Sequence, residues 1–586
     1  MGEKLVVSRL ISDHCVLQHG KPVHIWGRTA PGRSVCVLLS KESEAARGEE
    51  VKNETRASSE GAWSVFLPAM KPSKDGCRLI ITDDGGERIE IHDVLIGEVW
   101  FVSGQSNMDL MMERVKDRYP VEVATANNPY IRAFKIAEQT DYHGPLDDPL
   151  TGEWKAVASE TILSFSATGY FFAKNRFHDT GIPVGFLHAS LGGSLISCWM
   201  SREMLSSPSE EAPEGYPLLI ADADRYADDI FRMSQIEKNA QNDEEWNAEL
   251  AKRHGNAKGA GSAGEISIPC LFSNISELNE YIGEISLKKT ITLTEQMIAE
   301  MGDCRVRLFL GTMVDRDVTY VNGVKVGETG YQYPPRKYEV PKEILHPGEN
   351  EMEIRLVVEN GKGRLTPGKK YALICEKADA RVCRDTGGFE IKEPGDACGA
   401  EDADGQGVLW ELDLSGAWQF KKIARMDTPV PPTDFISWHA TGLYNAMAAP
   451  CHRYTILGII WYQGESNADH PWNYEDLQRR LMRGWRKKWH EESEQETLRE
   501  GDDAETIPFL YVQLPNFRID LNGEGEKRWE EIRQDQSACL SEPLSGMITT
   551  MGLGCDNDLH PHEKEEIGKR LASLLNQLGR SHAANA

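Results

Sequence analysis

Apolar residues follow two different patterns along the chain, and the pattern changes near residue 96. Up to residue 95 they form short runs, such as "KPVHIWGR" and "GAWSVFLPAM", separated by Pro-Gly and Asp-Gly-Gly turn signals. Short runs rich in β-branched and aromatic residues are typical of strands that are buried on one face. Residues 1–95 are therefore predicted to form a β-sandwich of the immunoglobulin type.

From residue 96 the apolar runs become unbroken, as expected for strands that are buried on both faces of a parallel sheet. Helical patterns lie between several of these runs, and within 474–485 the apolar positions recur every three or four residues. This alternation predicts an α/β core. The predicted strands are contained in "VWFVSG", "IPVGFLHASLGG", "YTILGIIWYQGE", "PFLYVQLP" and "SGMITTMGLG".

The α/β pattern is interrupted between a flexible segment, "GNAKGAGSAG", and an acidic, glycine-rich one, "PGDACGAEDADGQG". Between them the dipeptide Asn322-Gly323 joins two alternating runs, which is a strong hairpin signal. We therefore predict an inserted β domain over 265–425. The α/β core then consists of two parts, 96–264 and 426–586.

Charge and composition narrow the classes of function. The 586 residues include 92 acidic and 65 basic side chains, a formal charge of −27. This balance disfavours nucleic acid and anionic membrane surfaces as partners, because both require clustered Lys and Arg. No apolar stretch has the length of a membrane helix or the features of a secretory signal, so a cytoplasmic location is expected. The twelve cysteines show no CxxC pair or metal-ligand spacing, so neither a metal nor a cofactor is expected; the oligomeric state is not indicated.

Four of the predicted strands lead into small polar motifs, and the carboxyl ends of parallel strands share one edge of a sheet. Gly104 allows a tight strand-to-helix turn before Ser106, which is either a helix N-cap or a nucleophile. The lipase-type G-x-S-x-G motif is absent, since Met108 stands where its second Gly would be. The paired Gly192 and Gly193 either bring backbone N–H groups close to a ligand or form an ordinary turn.

Two further motifs complete the set. Gln463, Glu465 and Asn467 follow an apolar strand, where polar groups cost desolvation energy unless they are used. His560 precedes the last predicted helix and has Asp558 nearby, which is either the base and acid of an acyl-transfer triad or a loop leading into a helix. Jointly, a serine, a glycine, an amide and an Asp/His pair at strand ends favour catalysis over four separate structural roles.

The order of these motifs resembles that of the SGNH (GDSL-like) hydrolases, and their amino-acid sequences resemble those of the sialate O-acetylesterase-like carbohydrate esterases. The resemblance is carried by "LISDHCVLQHGKPVHIWG", "DVLIGEVWFVSGQSNM", "VGFLHASLGGS", "GLYNAMAAP", "GIIWYQGESNA", "YVQLPNF" and "DLHP", between about residues 10 and 575. It implies an α/β fold: a three-layer core with a flavodoxin-like parallel sheet, an N-terminal β-sandwich and an inserted β jelly-roll similar to galactose-binding domains.

The resemblance also implies a catalytic centre. Ser106 would be the nucleophile and His560 the general base, and the oxyanion would be held by the backbone N–H of Ser106, the N–H of Gly193 (or Gly192) and the side-chain amide of Gln463. The residues expected to contact substrate are Gln105, Asn107, Glu465 and Asn467.

The acid of the centre is less closely defined by the resemblance. Asp558 matches the Asp-x-His-Pro pattern of this branch and is the predicted acid. The superfamily's usual Asp-x-x-His spacing would require an acid at the position of Asn557. Asp556 and Glu465 therefore stay as alternatives.

The activity implied is a serine esterase that removes O-acetyl groups from carbohydrates through an acetyl-serine intermediate. The substrate would be either O-acetylated sialic acid or a neutral hemicellulose-type oligosaccharide, and the acidic chain slightly favours the neutral sugar. The alternatives are a carbohydrate-binding protein without catalysis and an esterase or thioesterase acting on acyl lipids. The aromatic side chains considered for stacking on a sugar ring are Trp199, Trp461, Tyr462 and Trp472.

Overall fold

The computed structural model forms a mixed α/β fold with several sheets. It describes residues 4–42, 50–254, 263–377, 407–470, 473–493, 507–517, 524–554 and 558–585. The chain divides into two compact units. The first consists of Met1–Lys116, Glu122–Arg232 and Phe435–Ala586, and the second of Asp117–Val121 and Met233–Asp434.

The first unit contains a mostly parallel sheet. Its central strands are β1 (Arg88–Gly104), β2 (Asn127–Lys135), β3 (Trp154–Ala158), β4 (Val184–Ser190), β5 (Gly458–Tyr462), β6 (Phe509–Val512) and β7 (Ser545–Ile548). They lie in the order β3-β2-β4-β1-β5-β6-β7, and every neighbouring pair is parallel except β3 with β2. All residues of β4, β5 and β6 are buried, so the predicted unbroken apolar strands are confirmed.

Helices flank this sheet. The main ones are α1 (Ser106–Asp109), α2 (Ala167–Thr180), α3 (Tyr474–Ser493), α4 (Glu524–Ala538) and α5 (Lys564–Asn585), and the shorter or peripheral ones are Met112–Val115, Pro120–Ala124, Arg202–Ser206 and Pro217–Ala227. Phe172 of α2 packs against Trp100, whereas Trp485 of α3 packs against Phe101, the next residue along β1. Among the described residues, no helix is both long and apolar enough to cross a membrane.

Strand β1 continues from the N-terminal region into the central sheet without a break. Its first half pairs with the antiparallel strand Ser73–Asp83, and Val16–Gln18 pairs with it in parallel. The predicted boundary at residue 95 therefore falls inside a strand. The other N-terminal strands are Ser34–Lys41 and Val51–Arg56, which extend this sheet, and Val6–Val7, Val23–Arg28 and Ala62–Leu67, which form a second sheet.

The second unit is rich in β-strands. Its sheets have six, three and four strands: Ala263–Ile268, Gly416–Arg425, Gly283–Leu293, Gly348–Val358, Arg316–Val321 and Val324–Thr329; then Cys270–Leu271, Arg364–Leu365 and Met313–Val314; then Lys337–Glu339, Arg305–Leu310, Tyr371–Glu376 and Val408–Asp413. The hairpin predicted at Asn322-Gly323 is confirmed, because Val321 pairs with Val324. The unit extends beyond the predicted insert, 265–425, and includes helix Glu295–Glu300 and most of helix Asp229–Arg253.

Candidate active site

Three neighbouring strands end level with one another at one edge of the central sheet. Gly104, the last residue of β1, pairs with Ser190 of β4 on one side and with Tyr462 of β5 on the other. Because these strands are parallel, the segments that follow them emerge at the same edge. Three of the predicted motifs follow these ends directly, those of Ser106, Gly193 and Gln463.

The turn after β1 is built so that Ser106 is presented rather than used as a cap. Gly104 has φ +142°, and a Cβ at this position would lie 2.0 Å from the carbonyl oxygen of Tyr462, so glycine is required. The N-cap residue of α1 is Gln105, and its side chain makes no capping hydrogen bond. Ser106 is the first residue of α1, and its hydroxyl is available for another interaction.

That interaction is with His560, which lies between β7 and α5. The Nε2 atom of His560 is 2.8 Å from Oγ of Ser106, and the pair is only partly buried. A histidine at this distance can accept the hydroxyl proton as the serine attacks a carbonyl carbon. The structure thus brings together two residues 454 positions apart that were predicted as nucleophile and base.

Asp558 is next to the histidine. Its Oδ1 accepts a hydrogen bond from the backbone N–H of His560 at 3.2 Å, which fixes the loop that carries the base. The alternative acid Asp556 lies outside the described residues. The other alternative, Glu465, is engaged elsewhere: its Oε1 accepts a hydrogen bond from Asn107 at 2.6 Å. Its Oε2 is buried and has no hydrogen-bond partner among the residues that the structure describes.

A buried polar network lies under the Ser106–His560 pair. Asn107, the residue after Ser106, donates from Nδ2 to Glu465. It also donates to the carbonyl oxygen of Leu559, the residue before His560, at 3.0 Å. Nζ of Lys564 donates to Oδ1 of Asn107 at 2.6 Å. The network therefore ties α1, which begins at Ser106, to the segment that carries His560.

Burial dominates the electrostatics of this network. It raises the pKa of the Glu465 carboxyl to about 7, although the bond from Asn107 and the charge of Lys564 act in the opposite direction. Burial lowers the pKa of Lys564 to about 8, and the nearby carboxylates of Glu465 and Asp558 oppose this shift. A buried cation is costly unless it is compensated, so Lys564 depends on its hydrogen bond to Asn107 and on the nearby carboxylates.

We expect Lys564→Met to lower kcat about 100-fold, because Asn107 loses the bond that orients it and the His560 segment shifts relative to Ser106. Met fills the space of the lysine stem without its charge, so the fold should be retained. Initial rates on p-nitrophenyl acetate would measure the effect, with KM largely unchanged. The matched control is Lys569→Met, an exposed position on the same helix; equal kcat values for the two variants would contradict this role.

The raised pKa of Glu465 predicts how stability depends on pH. A group whose folded pKa lies above its unfolded value stabilises the fold fully below the unfolded pKa, and this contribution is lost as pH rises through about 7. Glu465→Gln stays neutral throughout. The melting temperature of the wild type is therefore expected to fall relative to Glu465→Gln between about pH 5 and about pH 7.5. Glu565→Gln, at an exposed position, serves as control, and a difference that is constant with pH would refute the assignment.

The side-chain amide of Gln463, which was predicted to donate a hydrogen bond to the oxyanion, is bonded within the protein. Its Nε2 donates to the carbonyl oxygen of Ser194 at 3.2 Å and to Oδ1 of Asn467 at 2.6 Å, and its Oε1 accepts from Tyr474 at 2.8 Å. Both protons of the amide are therefore engaged inside the protein. As placed, Gln463 supports the turn that carries Gly193, rather than pointing a free N–H at a ligand.

The turn containing Gly193 lies beside Ser106. Gly193 has φ +78°, and a Cβ there would lie 2.0 Å from Cζ2 of Trp438. A Cβ on Gly192 would lie 3.6 Å from Cβ of Ser106, in ordinary contact. Close approach of a backbone turn to the serine is the geometry that an oxyanion site needs.

The four residues expected to contact substrate are all buried and bonded to the protein: Gln105, Asn107, Glu465 and Asn467. Gln105 bonds Ser466 through its Nε2 at 3.1 Å, and Oδ1 of Asn467 accepts the backbone N–H of Ile196 at 3.0 Å. These contacts assign them to the framework of the site in this structure. Buried polar side chains are almost always hydrogen-bonded, and at these strand ends the nearest partners are groups of the protein itself.

The aromatic residues considered for sugar stacking are also in the interior. Trp199, Trp461 and Tyr462 are buried, and Trp199 and Trp461 pack edge-to-face. Trp472 lies outside the described residues. Sequence reasoning missed two residues of the site, Lys564 and Trp438. Neither had a distinctive signal, since a lysine at a helix start is usually solvated and a lone tryptophan in a loop is not diagnostic.

A parallel sheet that carries a hydrogen-bonded Ser–His pair at its carboxyl edge is the arrangement of the α/β serine hydrolases. In the part of the chain that the structure describes, no group of three or more His, Cys, Asp or Glu side chains is placed to hold a metal ion.

Comparison with known proteins relates part of the chain to carbohydrate esterases. Residues 430–577 match the family model described as carbohydrate esterase, sialic acid-specific acetylesterase. The sialate O-acetylesterase of Mus musculus is 33% identical over 209 residues, 34% of this chain and 38% of that protein. The sialate O-acetylesterase of Homo sapiens is 27% identical over 198 residues, 31% of this chain and 36% of that protein. The chain thus spans little more than a third of the length of these curated relatives.

A solved structure shows the same fold over nearly the whole chain. The crystal structure of a carbohydrate acetylesterase from Xanthomonas citri matches with a TM-score of 0.53 and 20% identity, covering 98% of this chain and 75% of that chain. Together these comparisons confirm the predicted resemblance to the sialate O-acetylesterase-like carbohydrate esterases.

Proposed function

We propose that the protein is a serine esterase that removes O-acetyl groups from carbohydrates through an acetyl-serine intermediate. The observation that carries the proposal is the 2.8 Å contact between Oγ of Ser106 and Nε2 of His560 at the carboxyl edge of the sheet. The likeness of residues 430–577 to the carbohydrate esterase family supports the substrate class.

In the first half of the reaction, His560 takes the proton of Ser106 as its oxygen attacks the carbonyl carbon of the acetyl group. The negative charge that develops on the carbonyl oxygen is held by the backbone N–H groups of Ser106 and Gly193. The tetrahedral intermediate collapses when the C–O bond to the sugar breaks. His560 donates its proton to the departing sugar oxygen, which leaves Ser106 acetylated.

In the second half, water replaces the sugar. His560 takes a proton from the water molecule, the resulting hydroxide attacks the acetyl carbon, and the same N–H groups hold the second tetrahedral intermediate. Its collapse releases acetate and returns the proton to Ser106. Asp558 holds the loop of His560 through the backbone N–H of that residue, and in this mechanism its carboxylate stabilises the imidazolium.

The finer fold assignment is also a proposal. We assign the central sheet to a three-layer, flavodoxin-like core, because Trp100 and Phe101 are consecutive on β1 and pack against α2 and α3, and consecutive strand residues point to opposite faces. The N-terminal strands are assigned to an immunoglobulin-like sandwich and the second unit to a galactose-binding-like jelly-roll, on the evidence of their antiparallel pairing.

The substrate remains one of two classes, and we favour the neutral one. The charge of −27 disfavours an anionic sialoside relative to a neutral oligosaccharide. Incubation with acetylated xylo-, manno- and xyloglucan oligosaccharides and with O-acetylated sialic acids, followed by mass spectrometry, tests this directly. Loss of acetyl groups from the neutral oligosaccharides is expected. Loss from sialic acids alone would overturn the preference, and loss from none of them would overturn the proposed function.

A further inference from the structure

Two aromatic rings form a stacked pair in the segment that follows the second unit. The rings of Phe435 and Trp438 have centroids 4.0 Å apart and planes inclined by 22°. Phe435 is 50% exposed, and Trp438 is only partly buried. Covering an exposed aromatic ring with a ligand removes apolar surface from water, which is favourable. This pair is therefore a candidate contact surface.

The pair lies next to the catalytic serine. The indole Nε1 of Trp438 donates to the carbonyl oxygen of Gly192 at 3.1 Å, and its edge covers Gly193 so closely that no side chain fits there. A Cβ on Gly192 would in turn be in van der Waals contact with Ser106. The turn of Gly192 and Gly193 therefore lies between Trp438 and Ser106, and Phe435 stacks on Trp438.

The segment is held rigidly on both sides. The hydroxyl of Tyr142 donates to the carbonyl oxygen of Ile436. His439 stacks on Tyr226 with centroids 3.5 Å apart, and its Nδ1 is 3.0 Å from the carboxylate of Asp222. A surface that is already ordered loses little conformational entropy on binding.

We propose that Phe435 and Trp438 form a carbohydrate subsite in which the C–H face of a pyranose ring stacks on the exposed ring of Phe435. Trp438 supports that ring from below and ties it to the turn of Gly192 and Gly193, which lies beside Ser106. This inference rests on the proposed function, because it assumes that the acetyl group is carried by a sugar. A pyranose ring has an apolar C–H face and a polar hydroxyl rim, and its apolar face matches an exposed aromatic ring such as that of Phe435.

The test compares Phe435→Ala and Phe435→Tyr on two substrates. For Phe435→Ala, kcat/KM on acetylated xylo-oligosaccharide is expected to fall about tenfold further than kcat/KM on p-nitrophenyl acetate, which carries no sugar. Phe435→Tyr keeps the ring and should restore the ratio. The matched control is Tyr331→Ala, which removes a ring that is 53% exposed in the second unit and should leave the ratio unchanged. Equal losses on both substrates for Phe435→Ala, or no loss, would overturn the subsite.

A binding experiment separates this inference from the proposed function. The variant Ser106→Ala is titrated with acetylated xylo-oligosaccharide and with O-acetylated sialic acid while tryptophan fluorescence is recorded. Binding is expected to be about tenfold weaker when Phe435→Ala is added to this variant. If wild-type protein releases no acetate yet this difference is found, the proposed function fails and the subsite stands. If acetate is released but Phe435→Ala leaves binding of both sugars unchanged, the subsite fails and the proposed function stands.

Discussion

Ser106→Ala is expected to reduce acetate release by about 10³- to 10⁶-fold, the range seen when a serine hydrolase loses its nucleophile. The reason is that the substitution removes the oxygen that lies 2.8 Å from Nε2 of His560. The first position of α1 accepts alanine without strain, so folding should be preserved. Initial rates on p-nitrophenyl acetate and on an acetylated oligosaccharide provide the measurement, with a melting curve to check the fold.

A second serine variant makes the comparison specific. Ser164→Ala removes an exposed hydroxyl that donates a local hydrogen bond to the carbonyl oxygen of Thr161, and this variant should keep wild-type rates. Equal rates for wild type and Ser106→Ala would end the serine-esterase account. A wild-type protein that binds acetylated sugar but releases no acetate would instead favour a carbohydrate-binding protein without catalysis.

Gly193→Ala is expected to lower kcat by about 10²- to 10³-fold, the cost of losing one oxyanion donor. The new Cβ would lie 2.0 Å from Cζ2 of Trp438, and the residue has φ +78°, so either the turn or the indole must move. Both displacements alter the backbone N–H beside Ser106. The effect should appear in kcat on p-nitrophenyl acetate, since the oxyanion forms with any acetyl ester.

Gly181→Ala separates this effect from backbone strain. Gly181 has φ +68° at the end of α2, and its nearest neighbour is Nζ of Lys74 at 3.9 Å from the added Cβ. The substitution therefore imposes similar strain without a clash and should lower the melting temperature while kcat is retained. If both glycine variants lose kcat to the same degree, the role assigned to Gly193 is incorrect.

Much of the fold could be predicted because strands that are buried on both faces of a sheet consist of continuous apolar residues. The unbroken apolar runs that end at Gly104, Ser190 and Tyr462 are sufficient to identify β1, β4 and β5 from the amino-acid sequence alone. The continuity of β1 into the N-terminal sheet could not be predicted, since Arg88–Gly104 joins a half-exposed strand to a buried one. A change of pattern within one strand is indistinguishable from a domain boundary.

The site was predictable only in part, for a related reason. Ser106 and His560 are recognisable because their chemistry requires these residue types after strand ends. The partners of Asn107 and Gln463 depend on how the turns close, which a linear pattern does not contain. Lys564 illustrates the limit: it lies at a helix start among acidic residues, where sequence favours solvent exposure, yet it is fully buried beneath the catalytic pair.

Active-site titration with a fluorophosphonate, which reacts with activated serines, tests most directly whether Ser106 is the nucleophile. One equivalent per chain should be incorporated, peptide mass spectrometry should locate it on Ser106, and acetate release should fall in proportion to labelling. His560→Ala should slow the labelling, because the serine loses its base. Incorporation at another residue, or acetate release that persists when Ser106 is fully labelled or unreactive, would contradict the proposed acetyl-serine mechanism.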